Sequence, residues 1–218
     1  MAVISLTNVV LSFPKLVEAA SNKDFPSAGK KFAADFILPQ SHPDYARFMA
    51  EVMKDATEKW KEHTSNVLNQ INNDRRLRCF GNGTEKIKKD TFKPYEGYEG
   101  NMFISASANE DRPPVIVRPE DGKEINNTNT MERSAAARKL YGGCRVNVAV
   151  RPWIQDNQFG RAVRCELVAV QFAGDGTPFG EAPPDISSMF GAVQGAAPAA
   201  PAAPAAAAAN AFPAFFNN

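Results

Sequence analysis

Two stretches of this sequence set positive charge among aromatic rings. Between Arg75 and Lys93 there are seven cations, Arg75, Arg76, Arg78, Lys86, Lys88, Lys89 and Lys93, against the two acids Glu85 and Asp90. Phe80, Phe92, Tyr95 and Tyr98 lie within or just after them. Between Arg133 and Arg164 seven more cations face Asp156 alone, with Tyr141, Trp153 and Phe159 among them. Cations follow a phosphate backbone, and aromatic faces stack on unpaired bases at roughly 1–3 kcal/mol per base, without any base-edge code. The expected contact set for a single strand is therefore Arg75, Arg76, Arg78, Lys86, Lys88, Lys89, Phe92, Lys93, Tyr95 and Tyr98 from the first stretch. Arg145, Arg151, Trp153, Arg161 and Arg164 join it from the second. The competing account is solvated loop charge beside core aromatics, and Trp153, after Pro152, suits either role.

Other chemistries find less support. His42 and His63 fall on or beside one helix and no nucleophile motif accompanies them. Asp35, Glu96, Glu99, Asp156 and Glu166 are the carboxylates from which metal-assisted phosphodiester cleavage would be built, but their spacing does not gather them. Gly81-Asn82-Gly83 and Gly174-Asp175-Gly176 lack the patterns of a phosphate-cradling loop and read as turns. Cys79, Cys144 and Cys165 are far apart, with no CxxC and no adjacent histidine, so free thiols are expected rather than a zinc site or a disulfide. No cofactor, no metal and no enzymatic activity are expected.

The whole composition sets bounds on this. A chain of 218 residues supports one well-packed domain. With 25 Lys plus Arg against 24 Asp plus Glu, any affinity for nucleic acid must come from a local patch. The N-terminus, MAVISLTNVVLSF, has no basic leader region, and no apolar run reaches membrane-spanning length, so a cytoplasmic protein is expected.

The elements that must hold these residues can be read from periodicity. Residues 2–13 change apolar parity between Leu6 and Val9, the mark of a bulged strand. A loop over 14–29 leads to a strand over Lys31–Leu38, with Phe32, Ala34 and Phe36 on one face. Ser41-His42-Pro43-Asp44 opens a helix, and Tyr45, Phe48, Met49, Val52, Met53, Ala56, Trp60, Val67 and Ile71 predict that it runs on as one long amphipathic helix. Residues 72–101 are irregular. Met102–Ser107 and Val115–Arg118 are short strands, and the segment from Asn126 turns helical toward Leu140. Gly143–Trp153 and Arg161–Phe172 form a hairpin in which Cys144, Val146, Val148 and Val150 share one face. Beyond Gly180 an Ala and Pro run leads to a Phe-rich end, read as a flexible tail over 183–218.

Tyr141-Gly142-Gly143-Cys144-Arg145-Val146-Asn147-Val148, the strand Cys165–Phe172 and Asp175-Gly176-Thr177-Pro178-Phe179-Gly180 together form a pattern. With the Lys31–Pro39 strand and its helix, this pattern resembles a phage-encoded single-stranded-DNA-binding family. The resemblance covers most of residues 1–182. It implies an OB-fold and a role in phage DNA replication, recombination or repair. Many replication proteins of this functional class end in an acidic tail with a terminal aromatic, whereas residues 181–218 hold only Glu181 and Asp185. Phe212, Phe215 and Phe216 remain as candidates for docking replication or recombination proteins.

The expectation is therefore a mainly β, OB-fold-type five-stranded barrel with one long helix over 1–182, binding single-stranded DNA without sequence preference. Oligomeric state is left open. The rivals are a phage nuclease or recombination enzyme using the scattered carboxylates, and a structural adaptor working through its Phe-rich tail.

Overall fold

The computed structural model describes residues 2–22, 25–125 and 130–180. They lie in one compact unit within Met1–Ala182. The expected tail, with Phe212, Phe215 and Phe216, falls outside them.

The strands are β1 (Ile4–Asn22), β2 (Phe25–Leu38), β3 (Phe80–Asn82), β4 (Met102–Asn109), β5 (Val115–Val117), β6 (Arg145–Asn157) and β7 (Gly160–Gly174). Five of them form a ring. β1 pairs antiparallel with β2 and β6, β2 with β4, and β6 with β7, and a parallel pairing of Ser107 with Glu166 joins β4 to β7. The circuit β1-β2-β4-β7-β6 is a closed five-stranded barrel of OB type. Two short strands lie outside it, β3 on β4 and β5 on β7, making seven among the described residues.

The bulge expected after Leu6 is present, as a register shift between Leu6 and Val9 against β6. The loop expected over 14–29 is not, because β1 and β2 continue past the barrel as a paired arm. Register shifts on either side of Lys15 accommodate this, and Pro14 falls in the first of them, where the ladder needs no N–H. Inside the ring, Leu6, Leu11, Phe36, Ile104, Val146, Val150 and Leu167 are almost completely buried.

The expected long helix is present, but it does not run unbroken to Ile71. α1 (Pro43–Trp60) gives way to a single 3-10 turn at Lys61–His63, and α2 (Thr64–Asn73) follows. Lys61 adopts a positive φ of 48°, and the Thr64 hydroxyl donates toward the Lys61 carbonyl at 2.6 Å. The Trp60 indole N–H donates to Asp156 at 2.8 Å, which ties the end of α1 to β6. His42 caps α1, its Nδ1 accepting from the Asp44 N–H at 3.2 Å. Among the described residues, no helix is long and apolar enough to cross a membrane.

α3 (Thr130–Arg138) packs on β1 and β5, and it takes one cation out of the second basic stretch. Arg133 is buried, donates to the Leu16 and Pro114 carbonyls, and lies 4.8 Å from the Phe32 ring centroid.

The glycine motifs also prove to be framework. A Cβ on Gly143, whose φ is +105°, would collide with the Thr177 carbonyl, and one on Gly176 with the Gly143 carbonyl. The two segments cross at these glycines, fastened by Tyr141 Oη donating to Asp175 at 2.9 Å and by Phe179 N–H donating to the Gly142 carbonyl at 2.9 Å.

Candidate nucleic-acid interface

The strands β2 and β4 share an outer face whose rows follow from register. Val10, Ile37 and Phe103 make one row, Ser12, Asp35 and Ser105 the next, then Lys15, Ala33 and Ser107, and finally Lys31 and Asn109. The Lys15 row runs on to Glu166 of β7, which is paired with Arg151 of β6 at 3.1 Å. Half of this face is covered and half is open.

Residues 83–101 cover the first two rows. Tyr98, fully buried, packs on Ile37 and Phe103 and donates its hydroxyl to Asp35 at 2.7 Å. Burial and the Asp35 carboxylate push the Tyr98 phenol far above its ordinary pKa, so it remains a donor. Lys86 donates to Asp35 at 2.7 Å and sits 4.6 Å from the Phe103 centroid. Arg78 pairs with Glu85 at 2.7 Å and donates to the Phe80 carbonyl at 2.6 Å, while Arg75 donates to the Glu85 carbonyl. The loop passes so close to β3 that a Cβ on Gly83 would collide with the Tyr98 carbonyl.

The expected contact set therefore divides. Tyr98 has no free face for a base, and Arg78 and Lys86, both half-buried, donate to the protein's own carbonyls and carboxylates, whereas Arg75 is exposed and donates to the Glu85 carbonyl. Tyr98, Arg78 and Lys86 fasten the loop to the barrel by satisfying carboxylates and carbonyls that burial withdraws from water.

Beyond them a finger projects. Ile87 bridges to Pro94, Lys88 N–H donates to the Lys93 carbonyl at 2.8 Å, and Phe92 N–H donates to the Lys88 carbonyl at 3.1 Å. Phe92 sits at the finger's turn with φ 54° and is 77% exposed. Lys89 and Lys93 are exposed and Lys88 half-buried. Tyr95, half-buried behind them, meets Phe13 edge-on at 4.9 Å.

The second stretch borders the face from β6 and β7. Arg164 donates to Gln155 and, at 2.8 Å, to the Arg76 carbonyl, so the two stretches meet there. The Arg76 side chain is 76% exposed and held by Asp74, whose carboxyl these hydrogen bonds lower to about 2. Trp153 is half-buried opposite Arg164, and Arg161 faces Asp156 at 3.5 Å. Arg145 is exposed and donates to the Asn8 carbonyl.

Several exposed candidates lie outside the expected set. Lys15 and Lys31 border the open rows, and Lys30 joins Lys31 along a shallow cleft with Gly29, Asn109 and Glu110. Phe159 stands 80% exposed at the β6–β7 turn. Lys31 was within reach of sequence reasoning, since it occupies the parity opposite Phe32 and Phe36. Phe159 carried a signal too, as a large apolar ring in a turn.

The scattered carboxylates do not converge. Asp35 is held by Lys86, Tyr98 and Ser105, Asp156 by Trp60 and Arg161, and Glu166 by Arg151, while Glu96 accepts from the Gly180 N–H. Among the described residues, no group of three or more His, Cys, Asp or Glu could hold a metal ion.

Comparison with known proteins agrees with this architecture. The single-stranded DNA-binding protein of bacteriophage Enc34, solved in complex with single-stranded DNA, superposes with a TM-score of 0.59 at 21% identity, over 82% of this chain and 89% of its own. The bacteriophage T7 single-stranded DNA-binding protein gp2.5 does so with a TM-score of 0.51 at 13% identity, over 81% and 94%. At these identities the likeness is one of fold. Protein p50 of Acyrthosiphon pisum secondary endosymbiont phage 1 is 33% identical over 178 residues, covering 81% of this chain and 85% of that relative. Residues 1–197 match the family model described as Enterobacter phage Enc34, ssDNA-binding protein, and the chain belongs to that family.

Proposed function

We propose that this protein binds single-stranded DNA without sequence preference, along the open rows of the β2–β4 face and against the Lys88–Lys93 finger. The observation that carries this is the half-open face itself. Small residues, Ala33 and Ser107, floor it, cations border it, and an exposed ring stands on an anchored loop beside it. OB-folds bind oligonucleotides on the face of their second and third strands, here β2 and β4, and on the loops that join the first strand to the second and the fourth to the fifth. Membership of a family described by single-stranded DNA binding, and a related fold solved with such a strand, support the same assignment.

The strand is protected and presented rather than cleaved, in phage DNA replication, recombination or repair in the host cytoplasm. Partner proteins would dock on Phe212, Phe215 and Phe216. The test is fluorescence anisotropy with labelled poly-dT of about thirty nucleotides, longer than a single OB-fold site of roughly 4–16. Tight binding that weakens with salt and resists duplex competitor is expected, and no binding at low salt would overturn the proposal. Magnesium-dependent shortening of the same oligonucleotide would favour the nuclease instead.

A further inference from the structure

We propose that Asp35 is a positioning residue for DNA binding, its carboxylate being the anchor that presets the Lys88–Lys93 finger beside the open floor. This rests on the function proposed above. Asp35 lies on the outer face of β2 between Ala33 and Ile37, yet it is only 7% exposed, because the loop closes over it. A carboxylate withdrawn from water is unfavourable unless its lone pairs are filled, and three donors fill them. Ser105 of β4 donates at 2.5 Å, Lys86 at 2.7 Å and Tyr98 at 2.7 Å.

The last two flank the finger. Lys86 immediately precedes the Ile87–Pro94 bridge and Tyr98 follows it, so one side chain grips both legs of the loop. The legs are also joined directly, Tyr95 N–H donating to the Lys86 carbonyl at 2.9 Å. A buried polar cluster contributes little net stability compared with apolar packing, but it fixes geometry. Here the geometry fixed is that of the finger.

Asp35→Asn separates positioning from charge, because the two predict opposite signs. Removing a negative charge beside a DNA site tightens binding if Asp35 acts through its field, and weakens it if Asp35 acts through the finger. Poly-dT affinity is expected to fall about tenfold in Asp35→Asn. Amide exchange over residues 87–95 of the DNA-free protein should rise about tenfold while β6 and β7 stay protected. In a background with Lys88→Gln, Phe92→Ala and Lys93→Gln, Asp35→Asn should cost no further affinity. Tighter binding, unchanged exchange in the finger, or an equal loss in that background would each overturn the proposal. If Asp35→Asn does not fold, Lys86→Met releases one leg, and there the amide exchange over residues 87–95 decides, a rise supporting the proposal and unchanged exchange overturning it. If the unaltered protein fails to bind poly-dT, the proposed function fails and the role in binding goes with it, while exchange still decides whether Asp35 anchors the loop.

Discussion

The cations between Arg75 and Lys93 look alike in sequence and differ in their surroundings. At the root of the loop, the Arg78 side chain is 10% exposed and that of Lys86 23% exposed, each on a carboxylate, with Tyr98 sealed between Ile37 and Phe103. At the tip, Phe92 is 77% exposed and Lys89 and Lys93 face solvent. One run of basic sequence thus contains a frame and the surface it presents. The number of cations in a stretch overstates the number offered to a ligand whenever the same stretch must close its own loop.

The sharpest way to break this comparison is at the root. Arg78→Ala leaves Glu85 and the Phe80 carbonyl without their donor in a partly buried site, and should lower unfolding stability in urea by about 2–3 kcal/mol. If it instead weakens DNA binding with stability unchanged, the root is a contact surface and the division is wrong. At the tip, Phe92→Ala should cost about tenfold in poly-dT affinity with the melting temperature unmoved. A shifted melting temperature would make Phe92 part of the frame.

A third site lies apart from both regions. Burial raises the Asp44 carboxyl, but the Thr7 N–H at 2.7 Å, the Thr7 hydroxyl at 2.8 Å and Arg47 outweigh it, holding the pKa below its ordinary 3.8. A carboxyl depressed in the folded state contributes stability above its unfolded pKa and loses it as pH falls through the folded one. Asp44→Asn should therefore cost about 1 kcal/mol at neutral pH, flatten part of the acid loss below about pH 4, and leave DNA affinity intact. An altered affinity would extend the frame as far as α1. The smallest effect is expected from Lys88→Gln and Lys93→Gln, each of which should reduce the salt slope of binding by about 0.7. A larger change would mean that other cations move with the finger.

The β6–β7 hairpin was legible because Cys144, Val146, Val148 and Val150 alternate without a break into β6, and the inward side of β2 because Phe32, Ala34 and Phe36 do the same. The arm of β1 was not, since its register shifts break the alternation that marks a strand. Nor was the break at Lys61, because Trp60 and Val67 stay on one stripe across it and periodicity cannot register a turn that preserves the face. Within the candidate site, charge and aromatic content singled out the loop that carries the finger. They could not divide it, because the deciding partner of Lys86 is Asp35, 51 residues away. The motif that revealed the family is framework, its glycines spaced for one backbone to cross another.

The closure of the ring also bears on how the protein is made. Ile4 pairs in register with Val150, and Ser107 with Glu166, so the barrel joins segments that leave the ribosome far apart in time. Such non-local pairings form slowly, after the hairpins. A nascent chain carries every cation of the finger long before β7 exists, yet the floor beside that finger has no outer border until Glu166 and Arg151 arrive. A half-made chain thus carries the cations of the finger before it has the strand that closes the barrel beside them.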